Sequence, residues 1–162
     1  MTYLVQSSLL AGMVGTALIG GLLFAFSICV MQALASVPAE EGMRVMQRIN
    51  RVILNPLFFF VFMGTSLLSV VNVVVVMSGW GGKCPITFVA ASGVYLIGVF
   101  IITAAGNVPM NNRLDALKPA DGEEYWQLYL KNWTRLNHLR TAASTIAILL
   151  YGIGFIQINL PI

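Results

Sequence analysis

Four stretches of the chain are apolar for long enough to cross a lipid bilayer. They run from about Leu4 to Leu34, Leu57 to Ser78, Ile86 to Asn107 and Leu139 to Ile158. At about 1.5 Å per residue a helix over each covers a hydrocarbon core of roughly 30 Å. The polarity between the first two follows a helical period instead. Over Pro38 to Ile53, Glu41, Arg44, Arg48 and Arg51 fall on one face and Met43, Met46, Ile49 and Ile53 towards the other, with Asn50 on the mostly apolar side. That is the pattern of an amphipathic helix lying at the membrane surface or capping the bundle. Asn55-Pro56 breaks it before the second span. Trp80-Gly81-Gly82-Lys83-Cys84-Pro85 reads as a short turn. The longest polar loop passes through Asp115, Lys118 and Pro119. Asp121 and Glu124 then have the spacing of a capping box. They predict a helix rich in Tyr125, Trp126, Tyr129 and Trp133 that runs on into the fourth span. The fold class is therefore an all-α membrane protein: a single four-transmembrane-helix bundle over residues 1–162, with an interfacial helix after the first span and a helical extension before the fourth.

Composition strengthens this picture. Hydrophobic residues make up 58% of the chain and charged ones only 9%, against roughly a quarter charged in a soluble domain. So few charges cannot cover a water-facing surface, so the expected partner is the lipid bilayer. The net charge of +3 gives no reason to expect nucleic acid. Placement of the basic residues says more. Arg44, Arg48, Arg51, Arg113, Lys118, Lys131, Arg135 and Arg140 sit in or beside the two long loops, and of 9 basic residues only Lys83 lies at the other side. The positive-inside rule puts both long loops in the cytoplasm and both termini outside, in the cell (inner) membrane. Ala33-Leu34-Ala35 resembles a signal cleavage site, but no basic region precedes the apolar run and that run exceeds a signal core of about 7–15 residues, so it is read as a retained helix. Within it Ser8, Gly12, Thr16 and Gly20 recur every four residues, a spacing that lets another helix approach closely. A second copy of the chain is one candidate partner.

Polar residues gather at one predicted membrane boundary. Asn107 and Asn111 are four apart and share a helix face. Pro109 between them lacks an amide proton, so a continuing helix would kink and leave the Ala105 carbonyl free. The fourth span opens with a second group: Trp133, Asn137, Arg140, Thr141 and Ser144 form one stripe, with His138 about 100° round from Asn137 at its edge. A charge facing hydrocarbon costs from about 3 kcal/mol upward, so this face turns to protein or water. Together with Asn50 and Asn55 these groups predict a polar-floored pocket between helices, open to the cytoplasm or the inner leaflet. Snorkelling to lipid phosphates is the competing reading for Arg135 and Arg140. Helix capping or interhelical hydrogen bonding competes for Asn107 and Asn111.

The chemistry on offer is narrow. One histidine, two unpaired cysteines (Cys29 and Cys84) and no carboxylate inside the spans do not compose a transition-metal site, so no metal is expected. No glycine-rich loop follows a strand, and no Asp or Glu lies near His138 to build a Ser/His/Asp arrangement. A haem on His138 alone has no second feature behind it. The expected cofactor set is empty.

Asn107-x-Pro109-x-Asn111 followed by Trp133-x-x-x-Asn137-x-x-Arg140-Thr141 resembles the signature of the anthrone oxygenase-like membrane proteins. Met46-Gln47-Arg48-Ile49-Asn50 and Asn55-Pro56 look like that family's first loop. The resemblance implies a four-span enzyme that oxygenates anthrones without an obvious metal or flavin. It assigns His138 as base, Arg140, Asn107 and Asn111 as holders of the developing oxyanion, and Trp133 as a stacking surface for the rings. Asn137 would orient the imidazole or the substrate, and Thr141, Asn50 and Asn55 would complete the substrate pocket. Two other classes stay open: a non-catalytic membrane protein that binds a small hydrophobic or aromatic ligand such as a quinone or lipid, and a structural subunit whose polar stripe pairs with a partner helix.

Overall fold

The computed structural model describes residues 2–79 and 86–159, and every regular element among them is helical. The turn read at Trp80 to Pro85 lies outside the described residues. Four helices are long and apolar enough to span a bilayer: α1 (Tyr3–Ala35), α3 (Pro56–Met77), α4 (Ile86–Asp115) and α5 (Glu123–Asn159). The amphipathic α2 (Ala39–Val52) links α1 to α3. Round the bundle the order is α1, α3, α4, α5, so each span packs on two antiparallel neighbours, and α1 packs most extensively on α5.

The distribution of polarity is inverted relative to a soluble protein. Phe60, Leu67 and Leu149 are 77%, 66% and 61% exposed, whereas Ser69, Asn107 and Asn137 are 0%, 1% and 0% exposed. Such a surface is stable only against hydrocarbon, where small and polar residues hold helices together from within. The protein is accordingly a multi-pass membrane protein. The small-residue stripe of α1 turns inward. A Cβ on Gly12 would lie 2.9 Å from the Tyr151 ring and one on Gly20 2.9 Å from the Ser144 Cβ. Side chains at these positions would push α1 off α5.

At the end carrying the two long loops the helices outrun any bilayer. α5 has 37 residues, about 55 Å at 1.5 Å per residue. Its first turns carry Trp126, Tyr129 and Trp133, stacked at 5.6 and 5.9 Å between centroids. They form a core with Met43 and Met46 of α2, Met31 and Leu34 of α1 and Leu114 of α4. Burial of these apolar side chains fixes α2 across the end of the bundle, while Glu41, Arg44, Arg48 and Arg51 remain outward. Gln47 donates to the Leu114 and Leu117 carbonyls at 2.8 and 2.9 Å, joining α2 to the last turn of α4.

Three local details depart from the sequence reading. The first carbonyl of α5 to accept a helical hydrogen bond belongs to Gly122, which receives the Trp126 N–H at 2.9 Å. Asp121 is instead spent in a tight turn over Pro119–Asp121. A Cβ at 122 would run into the Met43 side chain, so packing of α2 selects glycine at the cap. Asn55 lines no pocket: it is exposed and caps α3, its Oδ1 accepting the Phe58 N–H at 3.0 Å. Pro56 follows as the first helical residue, where a missing N–H costs nothing. Finally, α4 continues as a helix through Pro109. Widened π turns over Leu96–Ile101 and Thr103–Asn107 precede the proline, and the Val108 N–H reaches back to the Thr103 carbonyl. A third π turn, Phe26–Val30, interrupts α1.

Candidate active site

A cavity of about 220 Å³ lies between α1, α2, α3, α4 and α5 near the loop-bearing end. Its walls are apolar: Leu22, Leu23 and Phe26 from α1, Met46, Ile49 and Ile53 from the α2 segment, and Phe58 from α3. Residues of two π turns border it, Phe26 on α1 and Thr103 and Asn107 on α4. Such turns re-aim side chains by inserting one residue per turn, and they gather at functional sites.

The floor is polar. Arg140 is 6% exposed; its Nη1 donates to Thr103 Oγ1 at 3.1 Å and its Nη2 to Asn137 Oδ1 at 2.8 Å. The guanidinium lies over the Trp133 ring, 5.3 Å from its centroid. No carboxylate pairs with it among the described residues: the ion pairs present are Arg44–Glu40 and Arg51–Asp115. Burying a cation without a counter-charge is costly, and here dipoles and a π face carry it. Asn107 donates to the Trp133 carbonyl at 3.3 Å. Asn111 Oδ1 accepts from Trp133 Nε1 at 2.8 Å and from the Tyr129 hydroxyl at 2.7 Å. Three lining residues each retain a buried atom with no protein partner among the described residues: Asn107 Oδ1, Asn50 Nδ2 and Arg140 Nε. Buried polar groups are seldom left so. These unpaired groups belong to three residues that border one hollow.

The structure sorts the residues singled out from sequence. Asn50, Asn107, Asn111, Trp133 and Arg140 all line the cavity. Asn137 stands one layer behind, donating to the Leu23 carbonyl at 2.8 Å and to Ser27 Oγ at 2.7 Å, while its own oxygen holds Arg140. Thr141 is also behind the wall, 3.0 Å from Ser27 Oγ and bonded to the Asn137 carbonyl. His138 stands apart from these residues. It is exposed and lines no part of the cavity, because one residue of helix rotates it about 100° from Asn137, away from the stripe that packs on α1. Arg135 is exposed and Arg140 is not, so snorkelling fits the first alone. Sequence reasoning passed over Thr103, although it precedes Asn107 by four residues and so extends the Asn107/Asn111 stripe. It also passed over Asp115, which appeared only as loop polarity yet lies at the rim.

The fold and the hollow define a class: a four-span membrane protein with an apolar cavity that ends in a buried cation and carboxamides. Residues 57–150 match the model of the anthrone oxygenase family. The chain belongs to that family. The matched region holds Asn107, Asn111, Trp133, Asn137 and Arg140, while Asn50 and the α1 wall lie before it. No curated protein and no solved structure matches the chain.

Proposed function

We propose that the protein is a membrane-embedded oxygenase that needs no cofactor and acts on an anthrone-type or other polycyclic aromatic substrate. The observation that carries this reading is Arg140: a buried guanidinium without a carboxylate partner among the described residues, at the end of an apolar hollow. Family membership supports it. An anthrone has a methylene between two aromatic rings, made acidic by the ketone across the central ring. Loss of one proton gives an anion spread over the rings and the ketone oxygen. Preorganised donors in a site of low dielectric stabilise such an oxyanion far more than water-exposed ones. The anion is a sufficient reductant for dioxygen: electron transfer and recombination form a carbon-bound peroxide, and loss of the remaining C–H proton together with hydroxide leaves a second ketone. Overall the methylene and one O₂ become a carbonyl and one water. In this reading Arg140, Asn107 and Asn50 bind the oxygen substituents, Asn111 and Trp133 fix the floor, and Asn137 and Thr141 position Arg140.

The surrounding assignments belong to the same proposal. Basic residues concentrated on the two long loops support a cytoplasmic location for them and an inner-membrane location for the protein, so a hydrophobic substrate would enter from the inner leaflet. Homo-oligomers are compatible with the lipid-facing surface.

The test is oxygen uptake by the purified protein in detergent or proteoliposomes with anthrone, above the rate of protein-free controls. With ¹⁸O₂, one labelled oxygen is expected in the new ketone. The exposed position of His138 favours a second reading, in which the cavity only binds a quinone or similar ligand. Saturable anthrone binding without uptake above background would establish that reading instead.

A further inference from the structure

With His138 outside the hollow, the oxygenase reading lacks a group to take the methylene proton. Among the residues lining the cavity the titratable side chains are Arg51, Asp115 and Arg140. Two are guanidinium cations that bind anions and accept no proton. Asp115 is the remaining one. It lies in the last turn of α4, at the rim, and its Oδ1 accepts from Arg51 Nε at 2.9 Å and lies 2.7 Å from Arg51 Nη2. Its Oδ2 takes no hydrogen bond among the described residues. The Asp115 side chain is 43% exposed and Arg140 only 6%, so Asp115 lies towards the mouth of the cavity and Arg140 towards its floor.

That separation fits the substrate chemistry. In an anthrone the ketone and the methylene occupy opposite edges of the central ring. A ketone oxygen held on the Arg140 floor therefore turns the methylene towards the mouth. We propose that Asp115 is the general base of the reaction, a role that rests on the oxygenase reading of the same site. The Asp115 carboxylate takes one methylene proton, and the C–H electron pair passes into the rings and onto the ketone oxygen at Arg140. After dioxygen has added, the protonated Asp115 gives its proton to the peroxide, and the regenerated carboxylate takes the remaining C–H proton; that C–H electron pair forms the new C=O bond as the O–O bond breaks and hydroxide departs. The protonated Asp115 returns its proton to that hydroxide, giving water and restoring the carboxylate. Arg51 keeps the acid oriented by holding Oδ1 and leaves Oδ2 free to act.

The proton step can be read apart from the oxygen step. In D₂O without oxygen, the protein should speed exchange of the anthrone methylene protons above the protein-free rate, followed by proton NMR. Asp115→Asn keeps the shape and an acceptor for Arg51. It is expected to lower both exchange and aerobic turnover by about 10²–10⁴-fold, with anthrone binding (followed by tryptophan fluorescence) retained and Asp115→Glu restoring part of both rates. If the unaltered protein turns over anthrone and Asp115→Asn matches it, the assignment of Asp115 is overturned while the oxygenase reading stands. If the unaltered protein neither exchanges nor consumes oxygen, the oxygenase reading falls and Asp115 with it. Should Asp115→Asn fail to fold, Asp115→Glu against Asp115→Gln makes the same comparison with one atom changed.

Discussion

Replacing Arg140 by methionine separates a functional cation from a structural one. The side chain is buried and donates two hydrogen bonds, to Thr103 and Asn137. Hydrogen bonds to charged groups contribute about 1.5–3 kcal/mol each, so their loss removes about 3–6 kcal/mol. The contact with Trp133 adds about 1–2 kcal/mol when desolvated. Against this stands relief of the burial of a cation with no carboxylate partner among the described residues, a penalty of several kcal/mol. Methionine has a comparable length and no polar atom to bury. The opposing sums are of similar size, and the net change in stability is expected to stay within about 2 kcal/mol. Catalysis has no such compensation. Removing one preorganised oxyanion donor costs about 10²–10³-fold in rate, equal to about 2.7–4 kcal/mol on the barrier. Thermal unfolding in detergent and anthrone-dependent oxygen uptake, measured on the same preparations, check both halves. A loss of more than about 4 kcal/mol in stability would make Arg140 a structural strut. A folded variant with undiminished turnover would remove it from the chemistry.

Other substitutions test other parts of the structure. Asn111→Leu strips the acceptor from two donors, Trp133 Nε1 and the Tyr129 hydroxyl; at about 1–3 kcal/mol for each unpaired buried group, a loss of about 2–6 kcal/mol is expected in chemical or thermal unfolding. Gly12→Val places a branched side chain against Tyr151 and should cost about 1–3 kcal/mol, whereas Gly64→Ala, whose added Cβ meets nothing within 4 Å, should change stability by less than about 0.5 kcal/mol. His138→Ala should leave oxygen uptake within about twofold and stability within about 0.5 kcal/mol of the unaltered protein, since the ring touches none of the cavity; a 10²-fold loss would return it to the mechanism. With Cys29 and Cys84 replaced by serine, Arg48→Cys, on the outward face of α2, should react with a membrane-impermeant maleimide only after the cytoplasmic side of intact cells is opened, and labelling from outside would reverse the topology.

The apolar runs, and the loops that divide them, were legible in the residues alone because a bilayer imposes its thickness on any helix that crosses it. The outward charged face of α2 and the continuous α5 were legible for a similar reason: helical period ties spacing to direction. Period also told that Trp133, Asn137, Arg140 and Ser144 share a face, and that face is buried. It could not tell how wide the face is. His138 and Thr141 flank Asn137 and Arg140 in the chain, yet packing on α1 takes Thr141 half inside and leaves His138 out. Asn55 and Gly122 show the same limit from another side. A capping asparagine and a pocket asparagine are alike in sequence, and glycine at the start of α5 has its reason in Met43, 79 positions earlier. The hollow itself depends on long-range geometry. Five helices must meet, and three π turns must shift the register of α1 and α4, before Thr103, Asn107 and Arg140 border one cavity. Solvent acts on each segment separately, so residue order reveals it; a cavity is a relation among segments and exists only once they have packed.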